Sequence, residues 1–413
     1  MADRDDQARP QVRDEVRNGT REGSPGSGQD READPGSEQA ERLRRVGAWR
    51  RAERILARPP ADRTLGEQLA DLSAYAASVA DLDQPGDVYG NGVVADLERR
   101  IAGLLGMEAA AFFPTGTMAQ QVALRCWAAR TGNPTVALHP LAHPEVHERG
   151  ALGAVSGLRT VHPTSEPRLP TAEEIRDFAE PFGTLMLELP LRDAGFVLPE
   201  WDELRDVVEA ARERDAVVHF DGARLWECAP RFGRGLPEIA ALADSVYVSF
   251  YKTLGGISGA ALAGPESLIE DARTWRHRYG GQLFQQFPAA LAALIGLERE
   301  LPKLESYVAQ AKVVAGALAE GLAESAVPWF RVHPEPPHTH QFQVWLPYPA
   351  DVLTEAGVRQ AEETGVALFR NWRPAAAGPP GMALTEVTVA EAGLEWTERE
   401  VRSAVRDFVA RLA

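Results

Sequence analysis

The chain has 413 residues, 44% of them hydrophobic, enough for a large domain and a smaller one with separate cores. Lys and Arg number 44 against 60 Asp and Glu, and the net charge of −16 argues against broad binding to nucleic acid or an anionic membrane. No stretch approaches the run of about 20 apolar residues that a membrane span needs, and the two cysteines, Cys126 and Cys228, form no paired motif, which points to a reducing, cytoplasmic setting.

Residues 1–45 are read as a disordered tail. Up to about Ala40 they are Asp, Glu, Arg, Gly, Ser and Pro, with Val12 and Val16 the only sizeable apolar side chains, too few to fold. Asp3, Asp5 and Asp6 speak against a transit peptide, and no apolar signal core is present. Residues 46–85 are expected to form an N-terminal helical segment, 86–302 a large domain and 303–413 a small one.

Within the large domain, Val94, Leu97, Ile101 and Leu104 recur at helical spacing before Gly106, a C-terminal stop. The run Phe112-Phe113-Pro114-Thr115-Gly116-Thr117 then leads into a helix, and a glycine turn at a helix N-terminus can cup a phosphate with backbone N–H groups, to which the Thr hydroxyls add hydrogen bonds. His139, His143 and His147 stand four apart, a spacing for metal ligands on one helix face, but Pro140 and Pro144 interrupt that face. No metal is expected. His143 instead offers a flat ring. A helix with Trp201, Leu204, Val208 and Ala211 on one face leads into the strand Val217-Val218-His219-Phe220, which ends in Asp221-Gly222-Ala223-Arg224. A second apolar strand ends at Lys252 and is followed by Gly255-Gly256. The small domain opens with a helix from about Lys303 to Leu322, followed by a strand at Phe342–Leu346, a helix near Val352–Thr364 and a last helix capped by Thr397 and Glu400. This mixture is an α+β lid.

Two buried strands thus deliver a lysine and an aspartate to one sheet edge, where α/β proteins bind ligands. A buried amine forms a Schiff base with an aldehyde cofactor, and a carboxylate facing a pyridine nitrogen keeps it protonated, so Lys252 and Asp221 read together as a pyridoxal 5′-phosphate site. Arg224 is in reach of a carboxylate or of the cofactor ring.

On these landmarks the chain resembles the threonine aldolase and aromatic amino acid β-eliminating lyase family. They run in order from Asp87-Val88-Tyr89-Gly90 and Leu97-Glu98 through Pro114–Ala119, His143 with Glu148, and Asp221–Trp226 to Lys252. The resemblance implies an aspartate aminotransferase-like (PLP fold type I) large domain with a mostly parallel sheet. It implies Lys252 as Schiff-base lysine, Asp221 on the pyridinium, His143 stacked on the ring, Gly116 and Thr117 on the phosphate, and Arg224 on the substrate carboxylate. It also implies an amino acid substrate and a homodimer or homotetramer. The chain departs from the family where Leu191 stands for a histidine that handles the β-hydroxyl, where Phe284 stands for a phosphate-binding arginine, and where Leu384–Thr388 lacks a carboxylate-binding one; Arg276, Arg278, Arg370 and Arg373 are the substitutes to consider. Cleavage of a β-hydroxy amino acid to glycine and an aldehyde is the leading expectation, with His340 or water as base. β-Elimination or racemisation, favoured by an apolar wall of Leu189, Pro190 and Leu191, remains open, as does a catalytically degenerate binding protein.

Overall fold

The computed structural model describes residues 35–59, 62–375 and 381–412. The expected tail lies outside these as far as residue 34. Its last part does not stay extended, because a helix spans Pro35–Arg51. Met1–Leu43 and Arg44–Ala413 are two separate contact units, and the description below concerns the second.

Thirteen strands appear among the described residues: β1 (Arg54–Ile55), β2 (Ala109–Phe113), β3 (Thr135–Ala137), β4 (Arg159–Val161), β5 (Thr184–Glu188), β6 (Val217–Gly222), β7 (Ser245–Ser249), β8 (Ala260–Gly264), β9 (Arg331–His333), β10 (Gln341–Leu346), β11 (Val366–Ala367), β12 (Arg373–Pro374) and β13 (Ala383–Thr388). Seven of them form a sheet in the order β2-β8-β7-β6-β5-β3-β4. The pairs from β7 through β6, β5 and β3 to β4 are parallel, and only β8 runs against its neighbours. The sheet is therefore mostly parallel, as expected, and the last residues of β2, β3, β5, β6 and β7 share one edge.

Both faces of this sheet are covered, which explains why its strands read as continuous apolar runs. Ala110, Phe112, Val246, Val248, Ala261 and Ala263 pack into one core, while the alternating Ala111, Phe113, Tyr247, Ala260 and Leu262 pack into another on the opposite face. Helix Val93–Leu105 closes the first core with Val94, Leu97, Ile101 and Leu105, and ends at Gly106 with φ 64°. Leu105 completes the stripe where Leu104 was expected. Helix Leu304–Glu324 then crosses to a third core that includes Leu318, Leu322, Phe342, Val344, Val401 and Phe408. A four-stranded antiparallel sheet, β12-β13-β10-β9, and helices Ala350–Thr364 and Glu398–Val409 build that part, the last with the Thr397/Glu400 capping box foreseen from sequence.

Glu98 ties the first helix to the sheet. Its Oε1 accepts from the Phe112 amide at 2.8 Å and from Arg276 Nη1 at 3.1 Å, and its Oε2 from Arg273 at 2.9 Å. Arg276 is buried and donates also to the Phe112 carbonyl. Removing one partner of a buried pair strands the other charge. Glu98→Gln is therefore expected to lower the unfolding free energy by about 3–5 kcal/mol in urea melts, whereas Arg99→Gln on the solvent side of the same helix leaves it within about 0.5 kcal/mol.

Candidate active site

Asp221 and Glu188 stand opposite one another at the ends of β6 and β5, and Tyr247 on β7 stands opposite Asp221 from the other side. Asp221 is buried, with Oδ1 accepting the Ala223 amide at 3.1 Å. Burial pushes its carboxyl up, while the charges of Lys252 and His143 pull it back. Glu188 accepts the His143 amide at 2.8 Å and the Arg192 amide at 3.3 Å. Burial, reinforced by Asp221, pushes Glu188 up to about 7.

Lys252 follows β7 across the turn Phe250-Tyr251 and lines a cavity of ≈ 850 Å³ with Arg224, Tyr251, His340, Arg370 and Glu386. No ion pair to its Nζ forms among the described residues. Burial, and then the Arg224 charge, lower the amine to about 8, against the opposing pull of Asp221 and Glu188. An amine lowered by burial is more often neutral and nucleophilic at neutral pH.

His143 opens the short helix His143–His147, its Nδ1 3.1 Å from the buried carboxylate of Glu148. Gly116 opens helix Gly116–Thr131, whose N-cap Thr115 accepts the Met118 amide at 3.2 Å. A Cβ on Gly116 would lie 2.1 Å from the Tyr247 hydroxyl, so only glycine fits against the residue that flanks Asp221. Thr117 is exposed in the same first turn. Arg224 lies over the Phe196 ring at 5.3 Å, and its Nε is buried without a partner. Lys252, Asp221, His143 and Arg224 thus act on one another electrostatically, and Gly116 joins them through Tyr247.

Other expectations are corrected. Leu191 is only 1% exposed and, like Leu189, belongs to the large core, so the apolar wall foreseen from these residues does not face the cavity. Residues 191 and 197 pair as a bridge, and the next residue, Arg192, bonds Glu386, which lines the cavity. His340 touches the cavity wall but is buried, with Nδ1 on the Val389 carbonyl at 2.7 Å and Nε2 facing the buried Glu227 carboxylate at 2.6 Å, so its ring is held by protein groups and not presented to substrate. Of the four substitute arginines, Arg276 serves Glu98, Arg278 lies over Trp275, Arg373 bonds Glu386 at 2.9 Å, and Arg370, the one lining the cavity, is held by both oxygens of Asp62 at 2.7 Å.

Sequence reasoning missed Glu188, Arg192 and Ser249. Glu188 carried a signal, a lone acid at the end of an apolar run as at Asp221. The Ser249 hydroxyl is buried three residues before Lys252, beside the Tyr251 side chain.

A family model for beta-eliminating lyases matches residues 72–344. The chain belongs to this family. It is 28% identical over 311 residues to low-specificity L-threonine aldolase 1 of Arabidopsis thaliana, covering 73% of this chain and 84% of the relative. It is 32% identical over 256 residues to the low specificity L-threonine aldolase of Escherichia coli (strain K12), covering 60% and 74%. A Listeria monocytogenes EGD-E structure provisionally named an L-allo-threonine aldolase superposes with TM-score 0.79 at 34% identity, over 89% of this chain and 99% of that one. A serine palmitoyltransferase from S. paucimobilis with bound PLP, 18% identical with TM-score 0.58, shares the fold alone.

The protein is a PLP-dependent lyase of fold type I. Its residues fit the cofactor: a free amine, a buried carboxylate, an orphaned guanidinium nitrogen and a glycine cradle converge on one edge. With the Lys252 amine at about 8 instead of the ordinary 10.5, its neutral fraction grows with pH and saturates earlier. The rate at which cofactor-free protein captures pyridoxal phosphate, followed by absorbance, is expected to rise through pH 8 and level off by about 9. A rate still climbing at pH 10 would mean an ordinary, solvated lysine.

Proposed function

We propose that the protein cleaves a β-hydroxy-α-amino acid at Cα–Cβ, releasing glycine and an aldehyde. What supports this most is the convergence of Lys252, Asp221 and His143 on one sheet edge in a chain whose relatives are named threonine aldolases. When bound, pyridoxal phosphate supplies the electron sink for the pair left on Cα.

In this reading Lys252 holds the cofactor covalently and then exchanges protons at Cα. Asp221 keeps the pyridine nitrogen protonated, and His143, steadied by Glu148, covers one face of the ring. Gly116 and Thr117 hold the phosphate, with the Ser249 hydroxyl as a further donor. Arg224 takes the substrate carboxylate, because of the arginines lining the cavity it is the one whose charge acts most on Lys252 and its Nε has no partner, whereas Arg370 is neutralised by Asp62, Arg63 and Arg299 pair with Asp71, and Arg58 bonds backbone carbonyls. The alternative of β-elimination or racemisation loses the apolar wall with the inward turn of Leu191, and keeps the support of the beta-eliminating lyase family match.

The expected division into residues 86–302 and a covering part, 303–413, goes with the separate apolar cores on either side of helix Leu304–Glu324. A cytoplasmic setting goes with Cys126 and Cys228, both buried and unpaired. Among the described residues no helix is long and apolar enough to cross a membrane.

The reading also includes a homodimer or homotetramer. Asp87 accepts the amides of Gln286 and Phe287 at 2.8 and 2.7 Å, and that clamp presents Val88, Tyr89, Leu283, Phe284 and Phe287 on the surface. Tyr89 and Phe284, 55% and 59% exposed, meet edge to face at 5.5 Å. Such a patch is covered in an oligomer. Light scattering is expected to give at least twice the chain mass of 44.9 kDa, and Phe284→Glu to lower it. A monomeric wild type would overturn the assembly.

The functional test is release of aldehyde from L-threonine and L-allo-threonine by the reconstituted enzyme, with Lys252→Ala as control. Cleavage of at least one isomer that drops by about 10⁴-fold or more in the variant is expected. No cleavage of any β-hydroxy amino acid by a chain that binds cofactor and exchanges the Cα proton of glycine would remove the aldolase reading and leave the lyase.

A further inference from the structure

Cleavage at Cα–Cβ releases an aldehyde only if the β-hydroxyl gives up its proton, so the aldolase reading, on which this inference rests, requires a base that the residues above do not provide. Histidine is the side chain best tuned for that task near neutral pH. The chain has nine histidines, all among the described residues, and most are committed elsewhere. His139, His219 and His333 have both ring nitrogens engaged, and His340 has Nδ1 on the Val389 carbonyl and its Nε2 buried 2.6 Å from the Glu227 carboxylate. His338 accepts the Leu198 amide, and His277 bonds Gln282 at the end of a surface helix. His162 faces Glu145 at 3.8 Å, and His143 is the ring-covering residue.

We propose that His147, oriented by Asp193, is the base that removes the β-hydroxyl proton. His147 lies one turn beyond His143, with the two ring centroids 5.2 Å apart, beside the ring assigned to the cofactor face. It remains partly open, 31% exposed, while Asp193 is mostly buried. Its Nε2 is 2.6 Å from Asp193 Oδ2. A carboxylate accepts, so Nε2 carries the proton and Nδ1 holds a lone pair. Nδ1 has no hydrogen bond among the described residues. Arg192 Nη1 is also 3.5 Å from Nε2 and as a donor would need a lone pair there, but the much shorter contact with Asp193 keeps the proton on Nε2.

The dyad is fastened to the Lys252 cavity. Asp193 also meets Arg373 at 3.5 Å, and Glu386, which lines that cavity, bonds Arg373 and Arg192 at 2.9 Å each. The bland alternative is an ion pair that merely pins helix His143–His147 to the loop after β5. Against it stand the free Nδ1, the ring contact with His143 and the link to the cavity wall.

In the step itself, His147 Nδ1 takes the hydroxyl proton, the O–H electron pair becomes the second C=O bond of the aldehyde, and the Cα–Cβ pair stays on Cα. Asp193 stabilises the imidazolium. Glycine is completed when Cα receives a proton from Lys252, and His147 returns its own to solvent. Substrate atoms are conserved and no oxidant enters.

The test compares holoenzyme carrying His147→Asn or Asp193→Asn with wild type in two assays: aldehyde release from both threonine isomers, and exchange of the glycine Cα proton in D2O by NMR. His147→Asn is expected to lower aldehyde release by about 10²–10⁴-fold and glycine exchange far less, with partial rescue of release by added imidazole. Asp193→Asn is expected to lower release less, and 15N-histidine spectra should show the Nε2–H tautomer of His147 in wild type and its loss in that variant. Release by His147→Asn within about threefold of wild type would overturn the proposal. So would a parallel loss of both activities without imidazole rescue, which marks a residue that only seats the cofactor. A wild type that exchanges glycine but releases no aldehyde would overturn the aldolase reading itself and is recognised without either variant.

Discussion

The site depends on two buried carboxylates set in register. Strands β5 and β6 pair so that Glu188 faces Asp221 at their carboxyl ends, and neighbouring strands lie only about 4.8 Å apart. Two acids that close, with little water, resist ionising together. Burial displaces both upward, Glu188 to about 7, and displaces the nearby lysine downward to about 8. A cation opposite Asp221 would offset the burial that raises its carboxyl. Glu188 is eased by another route, the amides of His143 and Arg192. Those two bonds fix the starts of the segments that carry His143 and His147 on one side and Arg192 and Asp193 on the other. The acid pair thus sets both the electrostatics of the cofactor pocket and the positions of the groups around it.

What was legible in the sequence is what strand ends announce. Asp221 and Lys252 each terminate an apolar run, and the sheet places both runs side by side with the predicted direction. Gly116 was legible because a glycine before a helix is a turn signal, although the sequence does not contain the reason for it, the Tyr247 hydroxyl from a strand far along the chain. The misreading of Leu191 has a physical cause. A strand buried on both faces shows no alternation, so nothing local says which way the residues beyond it point. Leu191, bridged to Val197, packs into the core, and Arg192 rather than Leu191 bonds the cavity-lining Glu386. The helix Pro35–Arg51 escaped notice because its first residues are as polar as the tail before it; the apolar anchors, Ala48 and Trp49, come only at its end.

The charged residues around the pocket sort by whether they already have a partner. Arg192 and Arg373 share Glu386, Arg370 is held bidentately by Asp62, and Arg276 serves Glu98. Recruiting any of these for a substrate carboxylate strands an acid. Asp62 is mostly buried, and a carboxylate left without its partner costs about 1–3 kcal/mol, roughly what a new charge-assisted bond of about 1.5–3 kcal/mol returns. Arg224 carries no such cost, because no acid is bound to it and its Nε is already desolvated. That asymmetry favours Arg224 as the carboxylate contact without any change in the rest of the network. It also leaves Glu386 and its two arginines free to hold Asp193 in place. Carboxylate binding by Arg224 and proton removal by His147, as proposed, then draw on separate groups, and substrate can dock without loosening the His147–Asp193 pair.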